Sequence, residues 1–168
     1  LIFSPDSSKL AFAARDEKKW YVVLDDWKSK KYTNVFRLTF SRDSKHFAFA
    51  AQDSSDFFII ADQKPLEVFD LVGTPIFSPA DSELVYSACK KGKWFIIKGK
   101  EKGPELNDIG PYFFTENAEH FVYSGEKDGK YYVFIDGKQS EAYEKVSLPE
   151  PSPDGKRIMY FAQKEKDG

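Results

Sequence analysis

The sequence has little of what disulfide-bonded or membrane-spanning proteins need. Its one cysteine, Cys89, excludes an internal disulfide, so its stability must come from packing. No segment approaches the ~18 consecutive apolar residues of a membrane span. The two signs of charge nearly balance, because 25 Lys and Arg stand against 27 Asp and Glu. This balance argues against a general binder of nucleic acid or of anionic membranes.

Motifs for hydrolytic and metal chemistry are missing as well. There is no Gly-x-Ser-x-Gly nucleophile elbow, and the two histidines, His46 and His120, have no serine in a triad-like setting. No Asp-x-Asp-x-Asp loop gathers several oxygens around one cation. We therefore expect no catalysis, no metal site and no cofactor.

What the sequence does contain is aromatic residues, which make up 17% of the chain, and a repeat. A hydroxyl residue recurs with a constant step of 37 residues, at Ser4, Ser41, Ser78, Thr115 and Ser152. Self-similarity at a fixed period of about 20–50 residues is typical of repeat architectures. The chain is therefore interpreted as successive copies of one structural element.

Three strand-like segments keep the same step. One is apolar on both faces, another is β-branched and aromatic, and a weaker third, flanked by charged residues, is interpreted as an outer edge strand. In that order they lie around Leu10, Phe47, Leu84, Phe121 and Ile158; around Trp20, Phe57, Trp94 and Tyr131; and around Tyr32, Phe69, Leu106 and Tyr143. We predict four short strands per repeat, in the second repeat at about 35–40, 46–51, 56–61 and 66–70. No helix is expected, even over residues 9–33, where propensity alone favours one.

Polar residues between these segments are interpreted as turn formers and solubilising groups. The aspartates that recur at one turn are assigned to turn formation: Asp25, Asp26, Asp62 and Asp136. The lysine-rich segments 28–31 and 90–93 are interpreted as soluble edges balanced by nearby acids, among them Asp25, Asp26 and Glu101. Cys89 is expected to be a small apolar residue within a sheet.

A four-stranded repeat with an aromatic interior cannot bury both faces alone, so neighbouring repeats must cover them. Radial stacking solves this problem, and we predict an all-β fold, a β-propeller of four-stranded antiparallel blades. A β-sandwich does not need a constant step, and the coils of a parallel β-helix are shorter and lack hairpins. The predicted repeats are about 1–34, 35–71, 72–108, 109–145 and a partial 146–168, in a single propeller domain or fragment.

The segment from Phe3-Ser4-Pro5-Asp6 to Phe12, with its counterpart at 151–160, resembles the repeat of TolB-type β-propellers. This WD-like class also occurs in the propellers of prolyl-oligopeptidase and tricorn-type peptidases. The third and fourth repeats depart from the pattern, with Ala80 and Asn117 at the aspartate position. The resemblance implies the propeller fold and a periplasmic or extracellular location, and little about function, because such blades serve many roles.

The number of repeats bears on how the ring is completed. At 37 residues per repeat, 168 residues supply about 4.5 repeats, whereas TolB-like propellers commonly have six or more blades. The resemblance therefore implies either a fragment of a longer parent or a ring completed by a second copy. In the second case we expect a homo-oligomer formed by edge pairing, because unpaired strand edges invite pairing.

Binding residues are expected on the loops that enter the innermost strands and that join the second strand to the third. In a propeller these loops converge on the central channel, and loops on a rigid scaffold commonly carry function. The candidates are Arg37, Asn34, Thr74, Tyr112, Ser147, Arg15, Asp53 and Asp128, with Asp16, Gln52 and Glu126 beside them. The aromatic column that contains Tyr131 is interpreted as core between blades rather than as a stacking platform for bases or sugars.

Two functions are consistent with these sequence features. The first is a non-catalytic binding or scaffold module that engages a protein or peptide through the loop face of the propeller. The second is the substrate-gating propeller of a larger serine hydrolase or peptidase whose catalytic domain is absent from this chain. A protein or peptide is therefore the expected partner, with no nucleic acid and no membrane span.

Overall fold

The computed structural model describes residues 1–164, and over these residues the chain consists of β-strands and turns without a helix. The described residues consequently offer no helix that could cross a membrane. The chain divides into two compact units. The N-terminal unit contains Leu1–Lys91 and Ile96–Glu101, and the C-terminal unit contains Gly92–Phe95 and the residues from Lys102 onward.

The first two repeats of the N-terminal unit each form one four-stranded antiparallel sheet in which the strands are ordered as in the chain. The first sheet contains β1 (Ile2–Phe3), β2 (Leu10–Asp16), β3 (Lys19–Leu24) and β4 (Trp27–Lys28). The second contains β5 (Asn34–Phe40), β6 (Phe47–Asp53), β7 (Asp56–Ala61) and β8 (Lys64–Pro65). The prediction of strands instead of a helix over residues 9–33 is confirmed by β2 and β3.

The later repeats follow the same plan. The third contains β9 (Leu71–Val72), β10 (Ile76–Phe77), β11 (Leu84–Lys90), β12 (Lys93–Lys98) and β13 (Glu101–Lys102), with β9 and β10 both paired to β11. The fourth, in the C-terminal unit, contains β14 (Asp108–Phe114), β15 (Phe121–Lys127), β16 (Lys130–Ile135) and β17 (Lys138–Gln139). The partial fifth contains β18 (Lys145–Val146), β19 (Glu150–Pro151), β20 (Ile158–Met159) and β21 (Ala162–Gln163).

The outermost strand differs from its prediction. In the second repeat the pairing with β7 occurs at Lys64–Pro65, directly after the hairpin, and resumes only as a single bridge between Phe57 and Phe69. Residues of this outer register are buried rather than kept soluble at an edge, and Tyr32 and Phe69 are each 3% exposed. The charged neighbours suggested an exposed strand, but the backbone bulges between the two contacts and turns the aromatic ring inward.

The core of the N-terminal unit lies between the first and second sheets. Its first-repeat residues are Ala11, Val22 and Tyr32, and its second-repeat residues are Phe47, Phe49, Ala51, Phe58 and Ile60. The Tyr32 ring meets Phe49 edge-on at 6.1 Å between centroids and Phe58 at 5.6 Å. Two adjacent repeats therefore bury each other's faces, which is the reason that one repeat alone is insufficient.

The hydroxyl that defines the 37-residue step organises the turn between the first two strands of a repeat. In the second repeat the Ser41 hydroxyl donates to Asp43 Oδ1 at 2.6 Å and accepts from the backbone N–H of His46 at 2.9 Å. The same arrangement occurs at Ser4, Thr115 and Ser152. Ser41 is fully buried, so its hydroxyl must be paired, and the motif satisfies it locally.

The two departures from the repeat pattern preserve this turn. Asn117 uses its amide oxygen as an aspartate would, accepting from the Thr115 hydroxyl at 2.6 Å, and its amide nitrogen donates to the Asp154 carbonyl at 3.0 Å. In the third repeat, Ala80 is compensated by Asp81 one residue later, and a hydrogen bond from Ser78 lowers the pKa of Asp81. The motif therefore tolerates a shift of one residue.

The turn aspartates predict a loss of stability in acid. Hydrogen bonds from Ser41 and from the backbone of Lys45 lower the pKa of Asp43 to about 2, and serine hydrogen bonds likewise lower the pKa of Asp6 and Asp154. A carboxylate with a lowered pKa stabilises the fold above its unfolded value of about 4, and this stabilisation is lost as the pH falls toward 2. We expect the free energy of unfolding to fall across this window and Asp43→Asn to make that fall shallower. Urea denaturation of the wild type and of Asp43→Asn from pH 2 to 5 measures both effects. If the free energy of unfolding depended on pH equally in the two proteins, the stabilising role of the Asp43 carboxylate would be refuted.

Other polar groups have structural partners. Asp62 Oδ2 lies 2.7 Å from Nδ1 of His46, while its Oδ1 accepts the backbone N–H of Phe47 at 3.0 Å, and His120 and Asp136 repeat this pair at 2.8 Å. These contacts confirm the turn-forming role of Asp62 and Asp136, and Asp25 likewise accepts the backbone N–H of Leu10 at 2.9 Å. The lysine-rich segments are paired, but with acids other than those predicted: Lys30 with Asp53, Lys31 with Asp16, and Lys90 with Glu67. Cys89 is buried, as predicted.

Candidate functional site

The innermost strand of a repeat carries a bulge. In β5 the register with β6 shifts between Phe36 and Thr39, and in β14 the register with β15 shifts between Ile109 and Tyr112. Arg37 lies in the first bulge with a positive φ of 61°, a conformation that non-glycine residues seldom adopt. A bulge re-aims the side chains of a strand and is often found beside functional sites.

The N-terminal unit contains five of the predicted site residues. Arg37 and Thr74 are exposed, Thr74 between β9 and β10, and Asn34 is exposed opposite Gln52. Arg15 lies over the Trp20 ring, with its guanidinium 5.8 Å from the ring centroid. Asp53 accepts from Lys19 at 3.0 Å and lies 3.9 Å from Lys30. Asp53 thus joins the first repeat to the second, and that structural role explains its presence without a ligand.

The C-terminal unit contains the other three. The Tyr112 ring is half-buried against Phe121, at 6.3 Å between centroids, so it contributes to packing. Asp128 is exposed in the turn between β15 and β16, with a φ of 53°. Ser147 lines a cleft, and it accepts from the backbone N–H of Phe161 at 3.0 Å. Of the eight predicted residues, Ser147 is the one that this cleft includes.

The cleft lies within the C-terminal unit, between the innermost strands of the fourth and fifth repeats, and has a volume of about 180 Å³. Its lining combines small, apolar and acidic residues. These are Asp108, Gly110, Pro111, Ser124, Gly125, Glu126, Tyr131, Val146, Ser147 and Leu148. We call this feature the Gly110 cleft. Tyr131 is 39% exposed there, so its assignment to the core between blades is only partly correct.

The Gly110 cleft occurs where the fourth repeat, like the third at Gly73, has a small residue and the second repeat has a large one. Phe36 occupies the position equivalent to Gly110 in the second repeat, and its ring lies 6.3 Å from that of Phe57, the equivalent of Tyr131. With glycine at position 110, nothing equivalent to the Phe36 ring covers Tyr131. A Cβ atom at Gly110 would also lie 2.5 Å from the Ser124 hydroxyl oxygen, whereas the residue opposite Phe36 is Ala50.

Two carboxylates give the cleft a negative charge. Asp108 and Glu126 are direct partners across β14 and β15, so their side chains project to the same face. Glu126 Oε1 accepts from the backbone N–H of Gly129 at 2.6 Å and from the Asn107 amide at 3.3 Å. The Asp108 carboxylate accepts from the backbone N–H of Ile109 at 2.8 Å. No lining residue is a cation.

Other candidate chemistry is not assembled. Within residues 1–164, no group of three or more His, Cys, Asp or Glu side chains is placed to hold a metal ion. Each histidine is paired with one turn aspartate, as described above. The predictions that the chain is not an enzyme and that it pairs through strand edges stay predictions.

Sequence reasoning missed most of the cleft. Asp108, Gly110, Pro111, Ser124, Tyr131 and Leu148 were not among the predicted binding residues. A signal was available, because the repeat places Gly110 where the second repeat has Phe36 and places acids where it has Asn34 and Gln52. Comparing pairs of positions between repeats would have revealed an aromatic residue whose covering ring is missing.

Comparisons with known proteins identify the fold. No protein-family model matches the chain, and no curated protein matches it in sequence. TolB from Acinetobacter baumannii matches with a TM-score of 0.58 and 14% identity, over 93% of this chain and 46% of that chain. The Dos1 propeller matches with a TM-score of 0.55 and 13% identity, over 95% of this chain and 50% of that chain.

A third solved structure is the β-propeller domain of the Trilobed protease from Pyrococcus furiosus. It matches with a TM-score of 0.53 and 18% identity, over 93% of this chain and 60% of that chain. The chain spans about half the length of the solved structures that it matches. At such low identities the likeness concerns the fold alone. The four-stranded sheets are thus propeller blades, and the chain has a TolB-like β-propeller fold.

Proposed function

We propose that this chain is a binding module that holds a short segment of a protein or peptide partner at the loop face of its blades, without a catalytic step. The observation that carries the proposal is the Gly110 cleft. It combines an uncovered aromatic ring, apolar walls at Pro111 and Leu148, and acceptor oxygens at Asp108 and Glu126. Convergent polar groups beside apolar surface are typical of recognition sites.

The size of the cleft favours a peptide side chain over a cofactor or metabolite. Pockets for small-molecule ligands commonly measure about 300–1,000 Å³, whereas this cleft measures about 180 Å³. A space of this size takes one side chain of a larger partner, and the rest of the partner would lie across the surrounding loops. Anchoring of one side chain in a small pocket is a common feature of protein interfaces.

The test is a selection of peptides on the whole chain. A phage-displayed library of random heptapeptides is panned on the protein, and enriched peptides are titrated while backbone amide resonances are followed by NMR. We expect enriched peptides to shift the amides of Gly110, Gly125 and Gly129 and to contact Tyr131. No enrichment, or binding that leaves these amides unchanged, would contradict the proposal.

A matched pair of variants sharpens this test. Tyr131 and Leu66 are similarly exposed, at 39% and 38%, but Leu66 lies outside the cleft on the outer side of the second repeat. We expect Tyr131→Ala to weaken binding by about tenfold or more, the effect of losing an aromatic anchor, and Leu66→Ala to leave it unchanged. Equal effects of the two substitutions would mean that peptides bind the surface without using the cleft.

A second candidate function is that of a substrate-gating propeller in a larger serine hydrolase or peptidase. It is favoured by the likeness to the propeller domain of the Trilobed protease. The full open reading frame of the parent gene distinguishes the two functions. A Gly-x-Ser-x-Gly elbow in the same reading frame would favour the gating function. A frame that encodes propeller blades alone would favour the binding module.

A further inference from the structure

The acidic pair in the Gly110 cleft is unfavourable for the fold by itself. Asp108 and Glu126 lie directly opposite each other in adjacent antiparallel strands, where two like charges are destabilising. Backbone and amide donors reach one oxygen of each carboxylate, but no lining residue carries a positive charge. The cleft therefore has a charge that an incoming cation would neutralise.

The second repeat shows that the fold does not need these charges. At the same register of β5 and β6, Asn34 lies opposite Gln52, so the equivalent pair is neutral. The fourth repeat thus differs from the second in two respects at one place. The ring of Phe36 is missing at Gly110, and two amides are replaced by two carboxylates. Both differences change the surroundings of the Tyr131 ring, one by opening space and one by adding charge.

The combination matches a long side chain with an apolar stem and a cationic head. Pro111 and Leu148 offer apolar surface to such a stem, and the Tyr131 ring offers a face for cation–π contact. A planar guanidinium is less strongly hydrated than an ammonium, stacks on aromatic rings and forms paired hydrogen bonds to a carboxylate. An arginine therefore meets the ring and the acids together better than a lysine does.

We propose that the Gly110 cleft takes an arginine side chain of the bound partner segment. The inference rests on the proposed function and adds the class of residue that is recognised. The guanidinium lies between the carboxylates of Asp108 and Glu126 and against the Tyr131 ring. Neutralisation of the acidic pair makes binding dependent on salt, because the charges at the cleft are accessible to solvent.

The test compares arginine with citrulline, its uncharged isostere. Two capped tripeptides, N-acetyl-Gly-Arg-Gly-amide and its citrulline counterpart, are titrated into the full chain while the amides of Gly110 and Gly129 are followed by NMR. We expect the arginine peptide to bind at least about tenfold more tightly, and the difference to shrink at high salt. Arginine residues in the selected heptapeptides should show the same preference when replaced by citrulline.

Variants separate charge recognition from other effects. The double variant Asp108→Asn with Glu126→Gln copies the neutral pair of the second repeat, and a glutamine oxygen can still accept from Gly129 and Asn107. We expect it to lose the preference for arginine and to unfold at a higher urea concentration, since the like-charge pair is gone. Glu116→Gln, which removes an exposed charge of the same unit outside the cleft, should change neither property.

The outcomes distinguish the two proposals. Equal binding of arginine and citrulline in the cleft would overturn the arginine inference and leave the proposed function intact. Retention of the preference in the neutral double variant would also overturn the inference. If neither tripeptide nor any selected heptapeptide shifts the cleft amides, the proposed function itself fails.

Discussion

Replacement of Phe49 by alanine is expected to lower the free energy of unfolding by about 3–5 kcal/mol. Phe49 is fully buried, in β6, and its ring contacts Tyr32 of the first repeat and Phe47 of its own sheet. The substitution removes most of a large side chain from the core shared by two repeats, and close-packed surroundings cannot collapse fully into the space. Denaturation in urea, with linear extrapolation to water, gives the change.

Phe3→Ala is the matched control, because the same side chain is removed from a surface position. Phe3 lies in β1 and is 60% exposed, so its replacement should change the free energy of unfolding by less than about 1 kcal/mol. If Phe49→Ala cost no more than Phe3→Ala, the faces of neighbouring repeats would not form the stabilising core of the fold.

The three inner strands of the second repeat were predictable from sequence to within two residues. The predicted ranges 35–40, 46–51 and 56–61 correspond to β5, β6 and β7. The hydrophobic periodicity of one short segment often does not distinguish a helix from a strand. Here the same pattern recurs in successive repeats, and the repeats together indicate strands. The helix propensity of residues 9–33 is overridden for this reason.

The outer strand was the least predictable element. Asp62 and Gln63 both have positive φ, at 45° and 68°, so the hairpin closes tightly and pairing begins at Lys64. The strand then leaves the sheet and returns at Phe69. Turn geometry of this kind depends on backbone angles that residue type does not specify at aspartate and glutamine. The predicted segment 66–70 therefore contained the buried contact and missed the paired strand.

The candidate site was less predictable than the fold, because it depends on a pair of positions in different strands. Tyr131 has the same residue class as Trp20, Phe57 and Trp94, and this similarity predicts a core residue. Its exposure follows from Gly110, which lies on another strand and is unremarkable when considered alone. The sequence prediction placed binding residues beside the innermost strands, where the cleft also lies, but variation between loops does not reveal which positions enclose a space.

The Gly110 cleft can be closed by copying another part of the same chain. Gly110→Phe with Ser124→Ala introduces the residue types of Phe36 and Ala50, and the second substitution removes the hydroxyl that would lie 2.5 Å from the new Cβ. The local backbone differs between the two repeats, because Pro111 stands where the second repeat has Arg37. We expect the double variant to remain folded in urea denaturation, with the new ring beside Tyr131 as the ring of Phe36 lies beside Phe57. Ser124→Ala alone leaves the cleft open and is the control.

The affinity of this double variant for a peptide selected on the wild-type chain is the most direct test that the missing ring creates the binding site. We predict that affinity falls by about 100-fold or more in the double variant, since the anchoring side chain has no space, and by less than about threefold in Ser124→Ala, where the space stays open. A double variant that is folded and binds the peptide as tightly as the wild type would contradict the assignment of the Gly110 cleft as the binding site.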